Sequence, residues 1–189
     1  MTRDVRITSF VTILLLATPL LAGSTTVRPL DGRELVRGSS DIVIGTVIAR
    51  AAHWDERHRR ILTDVQVLVS ERLKGAGADT LSLTQLGGEV DGARYDVPGS
   101  PVYTVGEEVL LFAWRDRFGR LQANGLAQGK CSITRDAAGV RVVRGLPEEL
   151  RGARSPAAPS RLRPERAADG EPVPLSGALR ALRDEISRK

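Results

Sequence analysis

Between residues 41 and 144 the apolar residues recur at a spacing of two, not at the 3.6 of a helix, so the stretch reads as a succession of β-strands. In "RILTDVQVLVSERLKG" Ile61, Val65, Val67 and Val69 fall on one side and Asp64, Gln66 and Ser70 on the other, as in a strand with one face in water. "DTLSLTQL" repeats the alternation through Leu81 and Leu83. "DIVIGTVIARA" is apolar on both faces, which suits a central strand, and Gly45 within it marks a bulge or bend. "EEVLLFAW" is a continuous apolar run of the kind found in buried strands. A glycine-containing hairpin turn in "RDRFGRLQANG" and shorter strands at 131–134 and 140–143 follow it. Five to seven short strands over about 105 residues, with no long helix between them, predict a mainly β fold: a small OB-like Greek-key barrel over residues 25–146 with a single core.

Helical spacing flanks this region. "DGRELVRGS" predicts a short N-terminal helix whose Leu35 and Val36 face the core and which Gly38 ends. In "LSGALRALRDEI" Leu175, Leu179, Leu182 and Ile186 share one face, so residues 175–189 are expected to form a short C-terminal amphipathic helix, docked on the body or offered to a partner. Residues 147–174 carry six of the ten prolines but few large apolar side chains. Such a segment buries too little surface to offset the entropy of ordering, and it is read as a flexible Pro/Arg-rich linker.

The N-terminus changes the expected compartment. Arg3 and Arg6 precede an apolar run that ends in small residues, the pattern of a secretory signal peptide over residues 1–24. The run falls short of the roughly 20 apolar residues that cross a bilayer and is interrupted by Pro19, so no stable membrane span is expected after cleavage. Whether the segment is retained stays open. Leu21-Ala22-Gly23 is followed by Ser24 where a lipoprotein anchor needs cysteine, so no lipid anchor is expected. The protein is therefore read as exported, periplasmic or extracellular. Losing Arg3, Asp4 and Arg6 lowers the formal charge from +5 to +4. Aromatic residues are 4% of the chain and most arginines sit near Asp or Glu, so a nucleic-acid footprint is not expected. Cys131 is the sole cysteine, which excludes an internal disulfide and leaves a buried hydrophobe or a thiol that pairs with another chain.

Candidate chemistry is sparse. "HWDERH" brings His53, Asp55, Glu56 and His58 together, but the spacing is not H-E-x-x-H and no third histidine exists, so no metal site and no cofactor are expected. There is no G-x-S-x-G elbow, and in "GLAQGKC" the glycines are too close for a phosphate loop and Cys131 stands where a Ser or Thr would hold magnesium. No catalytic residue is assigned. Trp54, with His53 beside it, is the candidate anchor for binding, because an aromatic in a hairpin loop is well suited to that use. In "QLGGEVDGARYDVPGSPVYTVGEE" the acids lack calcium-loop order, and Gly87, Gly88, Gly92 and Gly99 read as structural turns between strands. The alternative use of that stretch is a binding surface around Arg94, Tyr95 and Tyr103 at one barrel end.

"SDIVIGTV", an alternating strand ending in "SERLKG", "VGEEVLLFA" and a later "QGKCSI" together resemble the netrin-type or tissue-inhibitor-of-metalloproteinase-like OB barrel. The chain is also similar to exported bacterial proteins of unassigned function that carry a "GGEVDG…GSPVYTVGEEVLLF" block. The resemblance covers residue 40 to about residue 134 and implies a fold more than an activity. The metalloproteinase inhibitors bind zinc through an N-terminal cysteine pinned by disulfides, and this chain has no cysteine before Cys131, so that chemistry is not carried over. What the resemblance implies is an exported, non-enzymatic binding module whose partner is a protein in the envelope or outside the cell. The alternatives are a loop-mediated inhibitor or partner of an exported protease, and an envelope hydrolase with an unrecognised site.

Overall fold

The computed structural model describes residues 28–151 and 171–188. The predicted signal peptide and the middle of the predicted linker lie outside the described residues. Helix α1 (Gly32–Gly38) opens on a capping box, in which the Asp31 side chain accepts from the Glu34 amide and the Glu34 side chain accepts from the Asp31 amide. The strands are β1 (Asp41–Trp54), β2 (Ile61–Lys74), β3 (Thr80–Leu86), β4 (Gly88–Val90), β5 (Ala93–Tyr95), β6 (Glu108–Arg115), β7 (Leu121–Ala123), β8 (Lys130–Arg135), β9 (Arg141–Arg144) and β10 (Val173–Pro174). Helix α2 (Leu175–Ser187) follows the last of them. The fold is mainly β, as the spacing of two implies.

Eight strands form one sheet in the order β1-β2-β3-β7-β6-β8-β9-β10, and β1 pairs again with β6, so the sheet curls into a partial ring. The joint between β3 and β7 is one parallel pair, Leu83 with Leu121. Strands β4 and β5 form a separate two-stranded arm. The described strands exceed the five to seven expected because β4, β5, β7 and β10 have only two or three residues, too few to display a period.

Strands β1 and β6 are apolar on both faces because each face has its own core. Ile42, Ile44, Leu110 and Phe112 point outward from the ring and pack with Leu35 and Val36 of α1, Cys131 and Ile133 of β8, and Leu175, Ala178 and Leu182 of α2. Val43, Val47, Val109, Leu111 and Ala113 point inward and pack with Val65, Val67, Leu81, Leu83, Tyr103 and Leu121. The two strands run antiparallel from Asp41 opposite Ala113 to Thr46 opposite Glu108. Gly45 sits at a register shift between β1 and β2, where a Cβ would stand on the Leu68 carbonyl and within 2.6 Å of Val67 Cγ1. Only glycine admits so close a crossing. At the start of β1 the buried Asp41 accepts from Arg72 at 3.0 Å and from Ser40 at 2.9 Å, tying it to the far end of β2.

The body is larger than predicted at its C-terminal end. Pro147 leads into a 3-10 turn, Glu148–Leu150, whose Leu150 is buried against α1, and Val173 and Pro174 pair with Val143 and Val142. Both ends of the predicted linker are thus part of the folded unit, because each supplies an apolar side chain or backbone pairing that composition alone did not single out. Cys131 is buried in the outer core, and burial pushes its thiol up to about 12. It packs as a small hydrophobe.

Helix α2 closes the outer core in spite of its distance along the chain. Phe112→Ala is expected to cost about 3–5 kcal/mol and Leu182→Ala about 2–5 kcal/mol, each in a single urea transition. A Leu182→Ala variant as stable as the parent, or a separate early transition, would mean that α2 is not docked.

Candidate functional site

Only the first six residues of β1 pair with β6, so the rest of β1 runs on paired with β2 and carries the loop between them to the edge of the ring, beside the end of β3. That loop, residues 55–60, is organised by Asp55. Its carboxylate accepts from the backbone amides of Arg59 at 2.7 Å and Arg60 at 3.2 Å, and the Asp55 amide donates to the Arg60 carbonyl at 2.8 Å. The amide of Arg59, with those of Arg60 and Arg57, holds the Asp55 carboxyl below the usual carboxylate range. His58 has positive φ, 50°, and its ring stacks on Trp54 at a centroid distance of 6.2 Å. Arg57, Arg59 and Arg60 are exposed and make no ion pair among the described residues.

The loop between β6 and β7, residues 116–120, repeats the device. Asp116 accepts from the amides of Phe118 at 2.8 Å and Arg120 at 3.0 Å, from Arg120 Nε at 2.9 Å and from Gln122 Nε2 at 3.0 Å. Partial burial raises this carboxyl, but the Arg120 guanidinium and the two amides outweigh it and leave its pKa lowered. Phe118 is 65% exposed at the tip, with the guanidinium carbons of Arg117 and Arg120 4.8 Å and 5.1 Å from its ring centroid. In both loops the aspartate is occupied by its own turn. What the loops present to solvent is mostly arginine, with Glu56 and His58 in the first loop and Phe118 in the second.

Between the loops lies a groove of about 460 Å³. Leu62, Thr84, Gln85 and Leu86 of β2 and β3 and Gln122 of β7 line it, with Asp55, Arg57 and Arg60 from one side and Phe118 and Arg120 from the other. Nothing in the order of the sequence brings these residues together. "RDRFGR" looks like a hairpin turn, and the available signal was the lone aromatic among arginines within it.

The residues singled out from sequence are dispersed. His53 is exposed on the face of β1 away from the inner core, where Nε2 lies 3.1 Å from an Asp64 carboxylate oxygen and Nδ1 lies 2.9 Å from the Trp54 carbonyl oxygen. Trp54 is half-buried under His58. Arg94 and Tyr95 lie on β5 and line a second cleft of about 440 Å³ with Arg50 and Val102. Arg94 is paired with Asp96 at 2.8 Å, and Tyr95 is 46% exposed. Tyr103, expected beside them on the surface, is instead 2% exposed in the inner core, because its extended segment alternates and turns Pro101 and Tyr103 inward.

Gly87 (φ 104°), Gly88 (φ 140°), Gly92 (φ 77°) and Gly99 (φ 78°) all have positive φ. Gly88 also has no room: a Cβ would meet Thr63 Oγ1 at 2.5 Å and the Ala52 methyl at 3.0 Å, so the arm crosses β1 and β2 backbone-first. Asp91 and Gly92, φ 52° and 77°, make the tight turn that pairs Glu89 with Arg94 across the arm. Among the described residues no three His, Cys, Asp or Glu side chains converge as a metal site would need, and no helix is long and apolar enough to cross a membrane.

Because both loop carboxyls are held below the ordinary range, their stabilising effect is complete above about pH 4, the value for an unfolded carboxylate, and is lost as pH falls through the folded value. Backbone relaxation of Phe118 and Gly119 should accordingly report a rigid turn at neutral pH and fast motion in strong acid. Asp116→Ala should be mobile at every pH, and a turn that stays rigid in that variant would refute the role given to Asp116. Compared with known proteins, the chain matches no family model, no curated protein and no solved structure.

Proposed function

We propose that this protein is an exported, non-enzymatic binding module on an OB-like barrel, and that the groove between its 55–60 and 116–120 loops receives an acidic, extended segment of a partner protein. The cyclic pairing of β1, β2, β3, β7 and β6, with β3 and β7 joined in parallel, supports the OB-like reading of a small, partly open five-stranded ring. In such barrels the face of the second and third strands, with the loops flanking it, serves for binding.

One observation carries the choice of partner. Phe118 stands exposed between two guanidinium groups and faces Arg57 and Arg60 across a groove whose lining includes Leu62 and Leu86. Arginine suits carboxylates through its planar, forked donors, and an exposed aromatic beside it supplies an apolar anchor. A strand of nucleic acid asks for successive stacking platforms. Here Phe118 is the one aromatic of the groove, and Trp54 is covered by His58. Both histidines are engaged in shaping the hairpin, His53 with Asp64 and His58 on Trp54, which favours binding over hydrolysis. A protease is one kind of protein such a rim would suit.

The test is titration calorimetry with a peptide of alternating glutamate and leucine, against a lysine–leucine peptide and an oligothymidylate of equal length. The acidic peptide should bind with an affinity that falls as salt rises, and Arg57→Glu combined with Arg60→Glu should weaken it at least tenfold, about 1.4 kcal/mol. Tighter binding of the oligothymidylate would replace the protein reading with nucleic acid. Equal binding of the two peptides would remove it.

A further inference from the structure

Strand β6 keeps its alternation to the end: Val109, Leu111 and Ala113 turn into the ring, and Leu110, Phe112 and Trp114 turn outward. Leu110 and Phe112 are roofed by α1 and α2, whereas Trp114 lies one step past that roof, outside both cores and 38% exposed. Among the described residues no ring stacks on it, no guanidinium or ammonium covers it, and its Nε1–H donates to no group. Trp54 and Phe118, by contrast, each have a neighbour on the ring, His58 in one case and Arg117 with Arg120 in the other. An exposed indole with a free donor is an anchor of the kind that binding surfaces favour.

Strand register puts this indole beside the arginine groove. Trp114 stands directly opposite Gln122 on β7, and cross-strand partners share a face with their Cβ atoms about 5 Å apart. Gln122 is part of the groove lining and is fixed there, its Nε2 donating to Asp116 at 3.0 Å. Continuing across the sheet from Trp114, the outward positions are Gln122 on β7, Thr84 and Leu86 on β3 and Leu62 on β2. From β6 to β2 is three strand-to-strand steps, about 14 Å at about 4.8 Å each. An extended chain, at about 3.3 Å per residue, covers that distance in about four or five residues.

We propose that Trp114 is a second anchor of the partner-binding surface, and that the acidic segment received by the groove carries an apolar residue about four or five positions from its carboxylates, packed on the indole. The inference rests on the acidic-segment reading and specifies the segment further. Arg57 and Arg60, at the β2 end, make no ion pair among the described residues and are available to carboxylates. At the β6 end Arg120 is held by Asp116, and Arg115 by the Gly119 carbonyl and Asp41. The charge there is engaged, and the group left open is the indole. The two ends of the surface thus differ in chemistry, one cationic and one aromatic, and select a segment whose own ends differ in the complementary way.

The experiment labels the purified protein with 5-fluorotryptophan, which gives one fluorine resonance for each of the two tryptophans, that of Trp114 being assigned from Trp114→Phe. Two peptides are titrated, with calorimetry in parallel: one has four glutamates flanked on each side by leucine, so that either chain direction offers the spacing, and the other has alanine in place of both leucines. The leucine peptide should bind about tenfold more tightly than the alanine peptide and should shift the Trp114 resonance saturably, with that of Trp54 little changed. Trp114→Ala should bind both peptides with the affinity the parent has for the alanine peptide. Equal affinities of the parent for the two peptides, or a leucine preference that survives in Trp114→Ala, would overturn the proposal and leave the acidic groove intact. A parent that binds neither peptide removes both readings. Where Trp114→Ala does not fold, the parent's fluorine spectrum decides: a Trp114 resonance unmoved by the leucine peptide, or moved only by an oligothymidylate, overturns the proposal.

Discussion

The antiparallel ribbon of β1 and β6, buried on both of its faces, is the constraint on which the other elements depend. Each large apolar side chain that a core strand buries contributes about 1.5–3 kcal/mol. A strand that is apolar on one side alone supports one layer. Here Ile42, Ile44, Leu110 and Phe112 give α1, α2, β8 and β9 a surface to close over, while Val43, Val47, Leu111 and Ala113 fill the ring. The ribbon is short, because β1 outruns β6. What extends beyond it, the far half of the β1–β2 hairpin, stays in the ring through the pairing of β2 with β3 and carries the 55–60 loop at its tip.

The arginine-rich rim, proposed above as the binding surface, follows from that geometry together with a local device used twice. A single aspartate folds the loop back on itself by accepting its amides, Asp55 in one loop and Asp116 in the other. The negative charge is spent inward and the arginines remain outside. The turns hold Phe118 and the guanidinium groups in position, and such preorganisation is what the proposed binding requires to limit its entropic cost. The formal positive charge of the chain is modest, yet three arginines and one carboxylate, Asp55, line the groove, and that carboxylate accepts the amides of its own turn.

Much of the scaffold was legible from residue order. The alternation of Ile61, Val65 and Val67 and the two-faced run of Ile42 to Ile44 determine β2 and β1, and the helical spacing of Leu175, Leu179 and Leu182 determines α2. Two kinds of feature were not. Strands of two or three residues, such as β7 and β10, owe their existence to a neighbour's free edge and carry no period of their own. The site is non-local: Arg57 and Phe118 come from loops some sixty positions apart in the chain and meet because β6 returns beside β1 and β7 beside β3. Tyr103 was misplaced for a related reason. A tyrosine among glycines and prolines resembles a surface residue until the inner core that needs its ring is assembled. His53 and Trp54, prominent in the sequence, serve the hairpin they sit on.

Native-state hydrogen exchange tests the central claim, that a ribbon buried on two faces anchors the body and supports a firm rim. The amides in the paired segments 42–45 and 109–112 should exchange slowest, only through global unfolding, and the turn amides of Arg59, Arg60, Phe118 and Arg120 should show intermediate protection. A ribbon that exchanged as fast as the edge strands would not be the anchor of the body, and turn amides that exchanged at the rate of an unstructured chain would rule out a firm rim.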